Sequence, residues 1–108
     1  MLKRIAGPAY LSSSAANIYT PPNAAVYVEI NHIHIAEVSG SDRTFTLYVG
    51  ATGGSAGGTE LFKAHSITAN TEFDWPCRLS MASTDFLSGL ASAGTSLVIT
   101  VMGQYHAV

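Results

Sequence analysis

Two histidines, His32 and His34, sit at i and i+2 inside the β-branched run "YVEINHIHIAEV", residues 27–38. On a strand that spacing puts both imidazoles on one face, about 7 Å apart, and imidazole nitrogen suits first-row transition metals. Two ligands leave a metal site half empty, so chelation needs a third group. Glu29 and His65 are the candidates, and neither is tied to the pair by sequence spacing. A symmetry axis is the other route: three such pairs in a trimer supply six imidazoles in an octahedral set. With no third ligand fixed within the chain, the single subunit is expected to hold no metal and no other cofactor. His32 and His34 then read as contact surface.

Other stretches carry weaker chemistry. The segment "GATGGSAGG" (50–58) has the glycine density of a phosphate cradle but lacks the Lys-Ser/Thr that follows one. The next run, "TELFKAHSI", reads as a strand, so the segment is expected to be a flexible hairpin loop. Cys77, in "FDWPCRL", has no base fixed beside it and reads as strand packing rather than a nucleophile. Asp74 and Asp85 sit beside expected turns and Glu60 opens a strand, none paired with another at a spacing that implies general acid–base work. Trp75 and tyrosines 10, 19, 27, 48 and 105 offer stacking faces for a sugar, but read better as core and interface aromatics with hydroxyls at the wet edge. Tyr27 and Tyr105 join the two histidines as expected interface residues, and no enzymatic activity is expected.

The elements that must position these residues are strands. Phe45, Leu47 and Val49 alternate with Thr44, Thr46 and Tyr48, and Leu97, Ile99 and Val101 alternate with Val98, Thr100 and Met102, the two-residue repeat of half-buried strands. Breakers fall at Pro21-Pro22-Asn23, Ser39 to Asp42, Gly50 to Gly58, Ala69-Asn70 and Ala93-Gly94. Strands are expected near 10–13, 16–19, 24–37, 43–49, 60–67, 72–81 and 96–106, with one helical turn in 83–89 capped by Ser83 or Thr84. About seven to eight strands make an all-β, antiparallel sandwich of jelly-roll type. Its core is expected to hold Val26, Val28, Ile30, Ile35, Phe45, Leu47, Val49, Ile67, Leu79, Leu97, Ile99 and Val101.

The run 24–37 breaks the strand rule. Val26, Val28 and Ile30 share one parity and Ile33 and Ile35 the other, so a regular strand would expose one set. A β-bulge near Asn31–His32 would resolve this by switching the phase, turning both apolar sets inward and His32 and His34 outward together; the alternative is a strand buried on both faces, at a subunit interface or in a second sheet.

Composition bounds the partners. The 108 residues read as a single domain, 1–108, with residues 1–20 as an N-terminal arm. The sequence is 47% hydrophobic and only 11% charged, against about 25% charged in ordinary soluble domains. Such a surface is expected to be covered by further copies of the chain, a trimer being favoured. Five Lys and Arg against seven Asp and Glu leave no basic stripe for nucleic acid. No stretch approaches the roughly 20 apolar residues of a membrane span, and "MLKR" runs into Gly7-Pro8 rather than a signal-like apolar segment, so synthesis in the cytoplasm is expected. One cysteine excludes an internal disulfide.

The order of segments resembles small β-sandwich virion proteins of tailed bacteriophages. The residues that carry the resemblance are Tyr19-Thr20-Pro21, the long strand Val26 to Ile35, the Thr-rich strand Thr44 to Val49, the turn Ile67 to Glu72, the segment Asp85 to Ala93 and the closing strand Leu97 to Gly103. The chain departs at Ala36-Glu37-Val38, where those proteins commonly carry an Asn-Thr-Ser turn. The resemblance implies a structural protein of the virion, made in the host cytoplasm. It would bind its own copies and either the major capsid protein, as a decoration or cement protein, or tail proteins. A carbohydrate- or receptor-binding module on the virion is the alternative.

Overall fold

The alternation of apolar residues places eight strands in the computed structural model, which describes residues 2–55 and 57–108. They are β1 (Lys3–Tyr10), β2 (Ala16–Tyr19), β3 (Val26–Glu37), β4 (Arg43–Gly50), β5 (Glu60–Ile67), β6 (Glu72–Met81), β7 (Phe86–Ala91) and β8 (Leu97–Ala107). One sheet runs β1-β8-β3-β6 and the other β2-β7-β4-β5, with every pairing antiparallel. Four of the pairings, β1–β8, β2–β7, β3–β6 and β4–β5, are those of one long hairpin with its tip between β4 and β5. Two more, β8–β3 and β7–β4, roll that hairpin into two stacked sheets. This is the jelly-roll order of eight strands, so the all-β sandwich expected from the sequence is the fold.

Between the sheets lies one apolar layer. Val28, Ile30, Ile33, Ile35, Phe45, Leu47, Met81, Leu87, Leu97, Ile99 and Val101 are each at most 1% exposed, joined by Leu11, Ile67 and Ala91. Phe45 is its widest member and is ringed by Phe62, His65 and Phe73, with centroids 5.9, 5.2 and 5.2 Å away. Three expected core residues are only half-buried: Val26 and Val49 lie near strand ends, and Leu79 lies on the edge strand β6. Packing the two sheets together also buries Leu11, Met81, Leu87 and Ala91, which the sequence reading left out of the core.

The bulge in β3 is present. Against β8, Ile30 pairs with Gly103 and His32 with Met102, so β3 spends two steps where β8 spends one. Against β6, Ile30 pairs with Leu79 and His32 with Pro76, so β6 carries a further extra residue at the same level. β1 also slips against β8 there, between Arg4 and Ala6. Three strands thus shift register on one transverse line, with β8 as the ruler. Gly103 sits on that line because a Cβ there would come within 2.5 Å of the Glu29 carbonyl oxygen.

Two local expectations change. The strand expected at 10–13 lies earlier, at Lys3–Tyr10; Leu11 follows it as a core residue whose N–H donates to Leu97 O at 2.8 Å. No helical turn forms at 83–89. The Asp85 N–H donates to Ala82 O and the Asp85 carboxylate accepts the Ala82 N–H, each at 2.9 Å. That closes a tight turn and releases the chain into β7.

Candidate functional site

Past the bulge, His32 and His34 both leave the core and stand on the outer face of the β1-β8-β3-β6 sheet. The partner they meet is on β6. His34 and Asp74 are directly opposed across the β3–β6 ladder, and Phe73 and Trp75 on either side of Asp74 turn inward to the core. Asp74 therefore projects outward by simple alternation. Its Oδ1 lies 2.6 Å from His34 Nδ1 and 2.8 Å from His32 Nε2. A carboxylate only accepts, so the ring nitrogens facing it carry their protons. These contacts, from His34 first and His32 second, hold the Asp74 carboxyl below the ordinary aspartate range against a smaller opposing effect of burial.

Among the described residues, His32, His34 and Asp74 form a group of potential metal ligands whose donor atoms all lie within 4.8 Å of one another. The sequence candidates for a third ligand lie elsewhere. Glu29 shares the outer face but accepts from Asn31 Nδ2 at 3.0 Å and pairs with Arg78 at 3.5 Å. His65 is on the other sheet, packed among Phe45, Phe62 and Phe73 at 5.2, 5.7 and 4.6 Å. Asp74 was legible as a carboxylate beside a turn, but its partnership spans 40 residues and depends on how β6 pairs with β3.

Tyr19, Tyr27 and Tyr105 gather at one end of the sandwich, whereas Tyr10 lies opposite Val98 toward the other. Tyr27 stacks on His106 at 5.0 Å and Tyr105 carries the Lys3 ammonium 4.4 Å above its ring. The Tyr19 hydroxyl reaches the Tyr105 hydroxyl at 3.4 Å, linking the two sheets. Burial and this neighbour push the Tyr19 phenol upward. Tyr27 and Tyr105, the expected interface residues, are exposed at 38% and 37%, and Tyr10 at 58%. Trp75 offers no platform; it packs edge-on against Phe62 at 5.0 Å.

The remaining candidates have structural partners. In the glycine segment, Gly54 N–H donates to Asn17 Oδ1 at 3.2 Å, and Gly54 O accepts the Ser88 hydroxyl at 2.6 Å. Gly53 has φ +71° and no room for a Cβ beside Asn17, whose Oδ1 would be 2.9 Å away. Gly53 and Gly54 are thus folded down onto β2 and β7. Cys77 is half-buried, its thiol donating to Ile30 O at 3.4 Å; burial, and then the charge of Glu29, push the thiol upward, away from the thiolate that a nucleophile needs.

No protein-family model and no curated protein matches the sequence. Solved structures match in fold. A chain from the Bacillus endospore appendages, described as a novel family of disulfide-linked pili, is 14% identical with a TM-score of 0.57, over 100% of this chain and 88% of that one. A chain in the structure of infectious bursal disease virus, Gx strain, is 15% identical with a TM-score of 0.54, over 95% of this chain and 32% of that one. This chain therefore spans about a third of that viral chain. At such identities the likeness is one of fold.

Proposed function

We propose that this chain is a non-enzymatic structural subunit of a bacteriophage particle, a decoration or cement protein that works through contacts with its own copies and with the shell. The observation that carries the reading is the complete, uninterrupted jelly roll on a chain only 11% charged. Its strands are joined by short connections, and its widest apolar surface is already spent on one core. What is left to act is the surface, and there the half-buried outer residues Val98 and Met102 of β8 and the exposed Tyr27 and Tyr105 are suited to be covered by another protein. The fold neighbours support the reading, since one belongs to a pilus and the other to a virus. The sequence resemblance to tailed-phage virion proteins selects the particle. With Cys77 half-buried and bonded to Ile30 O, the contacts in this reading are non-covalent.

Binding the assembled shell and not its dissociated parts stabilises the shell by mass action. Light scattering of the purified chain at tens of micromolar, with co-sedimentation on the source particle, tests the proposal. A trimer that sediments with the shell supports it. A strictly monomeric species that binds neither shell nor tail overturns it, and binding to the tail alone replaces decoration with a tail role.

A further inference from the structure

Three side chains from two strands aim at one point on a solvent-facing sheet. We propose that His32, His34 and Asp74 form a binding site for one divalent first-row transition metal ion, zinc foremost, with the remaining coordination position open to water. The inference goes beyond the structural-subunit reading and stands independently of it.

The donor set comes first. Two imidazoles and one carboxylate are a standard three-ligand set for zinc, and the same set with open positions holds other divalent ions of the row. Geometry comes second. Zinc bonds of about 2.0–2.2 Å in a tetrahedron require donor atoms about 3.3 Å apart. Here two sides of the donor triangle are 2.6 and 2.8 Å, and no side exceeds 4.8 Å. Opening the short sides by about half an ångström and closing the long one needs only side-chain torsions, not backbone movement. The side chains of His32, His34 and Asp74 are 33%, 39% and 52% exposed, so those torsions are free to adjust.

The backbone beneath is fixed. Cross-strand register sets His34 against Asp74, and regular alternation past the bulge at Asn31 keeps His32 on the same outer face as His34. Folding alone does not call for this convergence. All three groups reach water and would be satisfied by it, and an exposed His–Asp contact adds little to stability. The protons also balance. Each neutral ring carries its hydrogen on the nitrogen facing Asp74; on binding, that hydrogen moves through solvent to the ring's other nitrogen. The freed lone pair goes to the metal, while Asp74 stays a carboxylate and loses two hydrogen bonds in exchange for one metal bond.

The test uses the full chain without a histidine tag. Calorimetric titration with zinc chloride, and visible absorption after titration with cobalt(II), are expected to give one ion per chain and the ligand-field bands of a low-coordinate site. Asp74→Asn, nearly isosteric, is expected to weaken binding at least tenfold, the His32→Ala/His34→Ala variant to abolish it, and His106→Ala to leave it unchanged. Circular dichroism of each metal-free variant reports whether it folds; should the double variant not fold, Asp74→Asn decides. Failure of the parent chain to bind either ion overturns the proposal. So does unaltered affinity in Asp74→Asn or in a folded double variant.

Discussion

The carboxylate of Glu37 accepts the backbone N–H of Asn70 at 3.2 Å, tying the loop after β3 to the turn between β5 and β6. The same carboxylate takes the N–H groups of Ser39 and Gly40 at 2.9 and 2.8 Å, together with the Ser39 hydroxyl. Only 3% of Glu37 is exposed. Burial raises its pKa, but the Ser39, Asn70 and Gly40 hydrogen bonds outweigh it and hold the carboxyl at about 2. A group with a depressed folded-state pKa stabilises the protein above its unfolded value and loses that contribution as pH falls through the folded value. Stability is therefore expected to decline from near pH 4.5 toward pH 2. In Glu37→Gln this part of the decline should flatten. Urea midpoints of the two proteins across that range make the comparison, and parallel curves would count against the role given to Glu37.

The bulge in β3 makes a prediction that a regular strand would not. Ile30 and Ile33 have opposite parity, yet both are 0% exposed. Ile30→Ala and Ile33→Ala should each cost about 2–5 kcal/mol in urea unfolding. In a strand without the bulge, one of the two would be close to neutral.

Deleting Asn31 removes the extra residue and forces a choice between Ile30 and Ile33. We expect the deletion to lower the melting temperature more than either alanine substitution does, because it turns one half of β3 over.

Gly103→Ala sets a Cβ 2.5 Å from the Glu29 carbonyl oxygen and 3.1 Å from Ile5 Cδ1. The first of these neighbours is backbone, so β3 and β8 must part. A loss of about 1–3 kcal/mol is expected in denaturant unfolding, typical of overpacking. Gly57→Ala, with open space around its Cβ, is the matched comparison and should change little.

Truncating the exposed aromatics tests the surface reading. Tyr27→Ala/Tyr105→Ala is expected to weaken self-association by about tenfold or more, as loss of interface tyrosines does. Sedimentation equilibrium measures it; an unchanged association constant would move the interface away from this end of the sandwich.

The phase break in β3 was legible because it is local. Val28 and Ile30 against Ile33 and Ile35 is a contradiction that four residues expose and one bulge removes. Asp74 as partner of the histidines was not legible, since it requires knowing that β6 lies beside β3 and in which register. β1 was placed too late in the chain for a different reason: "KRIAGPAY" has no sustained alternation. It becomes a strand only because β8 offers it an edge. The role of Glu37 was not legible either: its carboxylate is taken up by loop amides, at the place where an Asn-Thr-Ser turn is absent.

The pairing of β1 with β8 has a consequence for how the chain comes into being. Lys3 lies opposite Gly103, so β1 finds its place only when β8 has been made. Until Leu97 and its successors leave the ribosome, β3 lacks one of its two neighbours and the sheet edge that β1 will cover does not exist. Such non-local pairing places folding in the slow, milliseconds-to-seconds range of β-sandwiches. It also leaves the growing polypeptide with open edges that other copies can join wrongly. A nascent chain stalled before residue 97 should accordingly be sensitive to protease along β1 and β3, and full-length product should become resistant in a single late step.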